Sequence, residues 1–391
     1  MPITHKTRFF TSDMANAPVM TTGAGGIIAV LDGCLLNGFN TKTLSSLSVT
    51  SGIATATVSS GHGYSLHSII DISGASISAL NATHRILTVP DANTFTFDAT
   101  GVANGTATGT ITAIMSTPTG WTKAFSGTNK AAYKSTTSAS GFYFRIDDSG
   151  AYNNTNGQPA RGYESMTDVD TGTAPFPTTA QQANFNWRRS TDASGNRLWA
   201  LVADDQFFYL FVRIAAANTA NTIMLFGDIN SFDPLDAFAC VCSGASNFSA
   251  AQSGAAAINS NQPFAGSAPS SGLYIVRPHG AIAAGADSCF IAHIGGDSSN
   301  FSASSTNNTA TSSIAGGMLL ARGGVIFDGS LGRKPHGMLP AFHTSLVIPT
   351  TLIPNNHSVQ IINGALYLCT RLFTSGSTQD GFVAIGLDGW R

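Results

Sequence analysis

The stretch RLWALVADDQFFYLFVRI, residues 197 to 214, limits what this chain can become more than any other. Two apolar runs flank Asp204-Asp205-Gln206, the pattern of two strands joined by a tight turn. In the second run Phe208, Leu210 and Val212 alternate with Phe207, Tyr209 and Phe211, so both faces of the strand are apolar. Such a strand must be covered on both sides, by a second layer or by another subunit. A layered β-structure follows from this hairpin alone.

The rest of the chain agrees. Charged residues are 10% of the 391, against roughly 25% in an ordinary soluble domain, and Gly supplies 41. Surface helices need Glu, Lys and Arg on their wet face, and those are scarce here. Ser, Thr, Asn and Gly favour strands and turns instead. Further strands are predicted in GFYFRID, where Phe142, Phe144 and Ile146 share a face, and in TIMLFGDI, DAFACVC, GLYIVRP, SCFIAHI, TSLVIP and GFVAIGL. GMLLARGGVIFDG and SVQIINGALYLCTRLF read as hairpins turning at Arg322-Gly323-Gly324 and Asn363-Gly364. The fold class expected is all-β, a sandwich-like main body with long polar loops at residues 243 to 272 and 295 to 317. Loops of that length and low charge suit packing against neighbouring subunits.

Residues 46 to 113 have their own texture. Ala54, Ala56 and Val58 alternate with Thr and Ser after a turn at Ser51-Gly52. RILTVPDANTFTF reads as a hairpin about Pro90–Asn93, with Leu87, Val89, Phe95 and Phe97 on one side and Ile86, Thr88, Thr94 and Thr96 on the other. A flexible linker would lack this register. The segment is therefore expected to be a small antiparallel β-module, inserted between an N-terminal segment (residues 1 to 45) and the main body (residues 114 to 391). Within the N-terminal segment Ile28, Leu31, Leu35 and Phe39 recur at helical spacing and predict one short helix.

Composition also excludes function classes. A net charge of −2 with no Lys/Arg-rich run leaves no electrostatic footprint for nucleic acid. No run of 18 apolar residues exists, and the opening MPITHKTRFFTSDM lacks the apolar core of a signal peptide, so no membrane span is expected and synthesis in a cytoplasm is. The five cysteines, Cys34, Cys240, Cys242, Cys289 and Cys369, are scattered and odd in number, which suits small core residues better than disulfides or metal ligands. The nine histidines show no zinc-ligand spacing.

No G-x-S-x-G turn, phosphate loop or dinucleotide glycine turn is present. The richest acidic stretch, RGYESMTDVDTG, offers Glu164, Asp168 and Asp170 as oxygen ligands for Ca²⁺ or as a glycosidase acid/base pair; a solvated strand edge or turn network accounts for the same residues. Asp204, Asp205, Asp228 and Asp233 sit at strand ends, where Asp caps turns. His62 in GHGY reads as a turn residue, and Trp121, Trp187, Trp199, Tyr143 and Tyr163 as core or contact aromatics rather than sugar platforms. The expectation is a non-enzyme with no catalytic, cofactor or metal residues.

Residues Thr50–Thr57, Gly61–Tyr64, Ile72–Ala75, Leu80–Ile86 and Thr94–Phe97 resemble a small β-module of tailed-bacteriophage virion and tail proteins, a module also likened to a half-domain of ubiquitin-activating enzymes. That enzyme's chemistry is not implied, since residues 46 to 113 hold no cysteine. Residues 161 to 178, 204 to 212, 226 to 238 and 388 to 391 similarly resemble a family of phage virion structural proteins. The resemblance implies a structural protein of the virion tail or baseplate, made in the host cytoplasm, whose partners are copies of itself and neighbouring virion proteins. The alternatives it leaves are a receptor-binding or glycan-binding tail protein for host attachment, a capsid decoration protein, and a tail-associated glycan hydrolase using Glu164 with Asp168 or Asp170.

Overall fold

A computed structural model describes residues 3–138, 140–150, 157–181, 183–216, 221–244, 272–281, 285–292, 320–329, 334–345, 357–373 and 380–390. The architecture is all-β and every strand pairing is antiparallel. Both long polar loops fall almost wholly outside the described residues. No helix among the described residues is long and apolar enough to cross a membrane.

The 197–214 hairpin lies inside a ten-stranded sheet. Arg8–Thr11, Trp199–Ala203, Phe207–Val212, Thr222–Asp228 and Cys240–Ser243 form its first half; Leu273–Ile275, Asp287–Ala292, Val325–Asp328, Pro335–Met338 and Asn230–Ser231 continue it. The turn at Asp204-Asp205-Gln206 closes as expected, with Asp204 Oδ1 accepting the amides of Gln206 at 2.8 Å and Phe207 at 2.7 Å.

Both faces of Phe207–Val212 are covered by the chain itself. Phe208 packs on Trp121, Phe144 and Trp187 of a second sheet, with ring centroids 5.3 to 5.9 Å apart. That sheet runs Trp121–Gly127, Lys130–Ser135, Tyr143–Asp147, Gln158–Met166, Gly172–Phe176, with Asn186–Trp187 pairing Gln158–Met166. On the other side Tyr209 meets Trp390 and Phe342, and its hydroxyl donates to Pro340 O at 2.8 Å. Phe342 opens a strand of a third sheet, Leu320–Arg322, Phe342–Ser345, Asp380–Gly386, Ala365–Phe373, His357–Ile362. Two further β-layers therefore enclose the hairpin, one on each face, and its apolar faces need no second subunit.

The module forms an eight-stranded sheet in the order Lys42–Thr43, Thr112–Met115, Ile69–Ser73, Thr83–Thr88, Thr94–Asp98, Ile53–Thr57, Ser46–Thr50, Gly105–Thr106. Its core holds Leu47, Val49, Ile70, Ile72, Phe95 and Phe97. One predicted face is corrected. A bulge between Ile86 and Thr88 puts Ile86, fully buried, opposite Phe97, and leaves Leu87 41% and Val89 37% exposed. An extra residue in one strand breaks strict alternation, so a period-2 reading places the wrong set inward beyond it.

A second correction concerns Arg322-Gly323-Gly324, which is not a hairpin turn. Leu320–Arg322 pairs with Phe342–Ser345 whereas Val325–Asp328 pairs with Asp287–Ala292 and Pro335–Met338, so the glycines carry the chain from one sheet to another. The Asn363-Gly364 turn does close a hairpin, with both residues at positive φ (51° and 81°) as a type I′ turn requires. The predicted helix is Gly26–Leu31, widening into a π-helical turn, Asp32–Asn37. Leu31 and Leu35 point inward, joined by Ile27, Val30 and Cys34, while Ile28 is half-buried. All five cysteines are buried and free.

Candidate functional site

The acidic residues singled out from RGYESMTDVDTG do not assemble into one constellation. Glu164, near the end of Gln158–Met166, is held by Arg277, whose Nε and Nη2 reach its two oxygens at 2.9 and 2.6 Å. Asp168 and Asp170 lie in the following turn, not on a strand; Asp168 Oδ1 accepts the Asp170 amide at 2.7 Å. Asp170 in turn accepts from Arg145 at 2.6 Å and from Lys130 at 2.9 Å. Asp170 is thus paired with two cationic side chains. Asp204 and Asp233 cap turns, and Asp228 accepts the Ser140 amide and hydroxyl. His62 is buried in its turn, its Nδ1 accepting from the Tyr64 amide at 2.9 Å, so its Nε2 donates to Asp91 O. Trp121, Trp187 and Trp199 are core residues. Tyr143 and Tyr163 are half-buried cross-strand neighbours, Tyr143 stacking on Phe125 with the Lys134 ammonium 4.7 Å above its ring.

The fold instead brings Asp236 and His279, far apart in the chain, together with Asp328 and His336 of two adjacent strands. Two side-chain-capped turns shape the segment after Asn230–Ser231: Asp233 Oδ1 accepts the Leu235 amide and Asp236 Oδ1 the Phe238 amide, at 2.9 and 2.8 Å. That leaves Asp236 Oδ2 aimed at His336 Nε2, 2.5 Å away. His336 sits on Pro335–Met338, fully buried, and its Nδ1 lies 2.8 Å from Oδ1 of the equally buried Asp328 on the adjacent strand. The other Asp328 oxygen accepts the His279 amide at 2.7 Å, which fixes the chain entering the loop after Leu273–Ile275. The His279 ring stands edge-on to His336, centroids 5.4 Å apart, and its buried Nδ1 has no hydrogen-bond partner among the described residues.

The electrostatics of His336 follow from this sandwich. Burial, the largest influence, pushes the imidazole pKa down, but the hydrogen bonds and charges of Asp236 and Asp328 outweigh it and raise the value to about 9. Asp236 is correspondingly held below the usual carboxylate range: burial opposes this, and the bond to His336 overcomes it. A cleft of about 340 Å³ opens beside the cluster, lined by Leu235, Asp236, Phe238, Arg277, His279 and Ala281 among others. The Arg277 guanidinium lies 3.8 Å over the Phe238 ring while it holds Glu164. Among the described residues the cleft lining contains no hydroxyl or thiol side chain; those residues offer carboxylate, imidazole and guanidinium chemistry. Asp236, His279 and His336 each present a ligand-type atom, all within 4.8 Å of one another. Dispersed histidines in the sequence hid this, because only strand order places them side by side.

No family model matches the chain, and no curated protein matches it. Among solved structures it has a weak similarity to the phage phi92 endosialidase, at 11% identity and a TM-score of 0.17. The match covers 90% of this chain and 52% of that one, so the chain spans about half the length of that structure. A score this low does not establish a common fold.

Proposed function

We propose that this chain is a structural component of a tailed-phage particle, a tail or baseplate protein assembled as a homo-oligomer. The observation that carries the reading is the module, residues Lys42–Met115: the segment whose residues resemble phage tail modules is one continuous eight-stranded sheet, and its buried apolar residues join the hydrophobic core of the body. Its strand positions outside the core are mostly Thr and Ser, as at Thr55, Thr57, Thr94 and Thr96, with few ionic side chains such as Asp71, Arg85 and Asp98. A charge-poor, hydroxyl-rich surface suits a part packed at high copy number, where like charges would repel. The test is mass spectrometry of purified virions together with the solution mass of the isolated chain. Presence in the particle and a closed oligomer are expected; a chain absent from virions, or monomeric at particle-like concentrations, overturns the reading.

A second reading, recognition of host-surface glycan, is favoured by one feature, the half-buried strip of Phe125, Tyr143 and Tyr163 on the second sheet. Sugar rings stack on such faces. Replacing Tyr143 and Tyr163 by Ala should abolish adsorption while particles still assemble; unchanged adsorption removes this reading.

A further inference from the structure

We propose that Asp236, His279 and His336 bind one divalent transition-metal ion of the zinc class, with Asp328 as the outer carboxylate that orients the site.

The donor set decides the class of ion. Two imidazoles and one carboxylate suit Zn²⁺ and its first-row neighbours, whereas Mg²⁺ and Ca²⁺ take oxygen ligands. The three donors lie within 4.8 Å of one another, so a cation with bonds of about 2.0–2.2 Å reaches all three after small side-chain rotations. Asp328 completes the arrangement. It is fully buried, and its bond to His336 Nδ1 directs Nε2 at Asp236, the carboxylate–histidine pairing that supports metal-bound imidazoles. It also receives the His279 amide, so one carboxylate positions both histidine-bearing segments.

His279 separates a metal site from a simple hydrogen-bonded pin. Asp236, His336 and Asp328 form a complete set of hydrogen bonds with a proton alone, and the His279 ring makes none of them. Its buried Nδ1, without a hydrogen-bond partner among the described residues, is a donor atom left over, and coordination by a cation accounts for the placement of that ring. The position left open by three protein ligands faces the cleft beside Asp236 and His279, where water or a ligand of the cleft completes the shell. Such an ion would staple three segments: the turn at 233–238, the loop at 277–281 and the strand Pro335–Met338.

The test uses the full chain, stripped with a chelator, dialysed and titrated with Zn²⁺ or Co²⁺ alone. One equivalent should bind, Co²⁺ should give visible absorption of four- or five-coordinate type, and the unfolding temperature should rise with metal. His279→Ala removes a half-exposed ring and leaves the His336 bonds intact, so it keeps the fold; it should weaken binding at least tenfold. Asp328→Asn should weaken it by about 10- to 100-fold. Binding of far less than one equivalent by the parent chain, or affinity unchanged in both His279→Ala and His336→Ala, overturns the proposal and leaves His336 holding a proton only.

Discussion

Asp148 shows how a chain this poor in charge uses the few ions it has. It is fully buried, accepts the amides of Ile27 and Ile28 at 2.7 and 3.3 Å at the start of Gly26–Leu31, and pairs with the buried Arg189. Arg189 also donates to Thr22 O and Gly150 O, so one ion pair gathers four segments. Asp148→Ala strands a buried guanidinium and two helix amides, and should cost about 3–5 kcal/mol in urea unfolding. The Asp148→Ala, Arg189→Met double variant should recover part of that loss, because no uncompensated charge remains. Gly162 makes a different kind of demand. A Cβ there would meet the Phe176 ring at 2.2 Å, so Gly162→Ala must displace a fully buried phenyl group and should cost about 1–3 kcal/mol.

Among the elements, the module strand Thr83–Thr88 gives the sharpest test of register. Its bulge turns Ile86 into the core against Phe97 and turns Leu87 out. Ile86→Ala should therefore cost about 2–5 kcal/mol by chemical denaturation, as a core truncation does. Leu87→Ala should stay within about 0.5 kcal/mol, as for an ordinary surface position. Equal effects at the two positions would show that the alternation runs unbroken. The Asn363-Gly364 turn, by contrast, was legible because Gly and Asn are the residues that enter positive φ without steric cost, and the hairpin His357–Ile362 with Ala365–Phe373 follows from it.

For the molecule as a whole, Arg85 links module to body. It donates to Asp388 at 2.7 Å, to Leu387 O at 3.3 Å and to His5 Nε2 at 3.4 Å, while Ile3 N bonds to Thr83 O. Burial, with Arg85 and Arg8 nearby, lowers the His5 pKa to about 4 against the opposing Asp388; burial also lowers His67 and His84. Each ring is held uncharged in the fold and takes up a proton on unfolding. Their stabilisation is thus complete above the unfolded value of about 6.5 and fades as pH falls, for His5 through about 4. His336 and Asp148, whose pKa values are raised to about 9 and about 6, act in the opposite sense, so the test is a difference. In thermal melts from pH 7.5 to pH 4 the midpoint of the parent should fall relative to that of His5→Asn; parallel pH profiles for the two chains contradict the assignment.

The sequence alone determined the strands and several turns of this protein, because apolar alternation, Gly/Asn chemistry and the scarcity of ionic side chains are local properties. The both-faced hairpin at 197–214 likewise announced that it must be covered, yet only the tertiary structure decided that the covering layers belong to the same chain. The cluster of Asp236, His279, His336 and Asp328 had no sequence signal at all. Asp236 and His279 lie more than 40 residues from each other and from the Asp328 and His336 strands, and antiparallel pairing, a bulge at Ile326/Phe327 and two capped turns were needed to bring the side chains into one place.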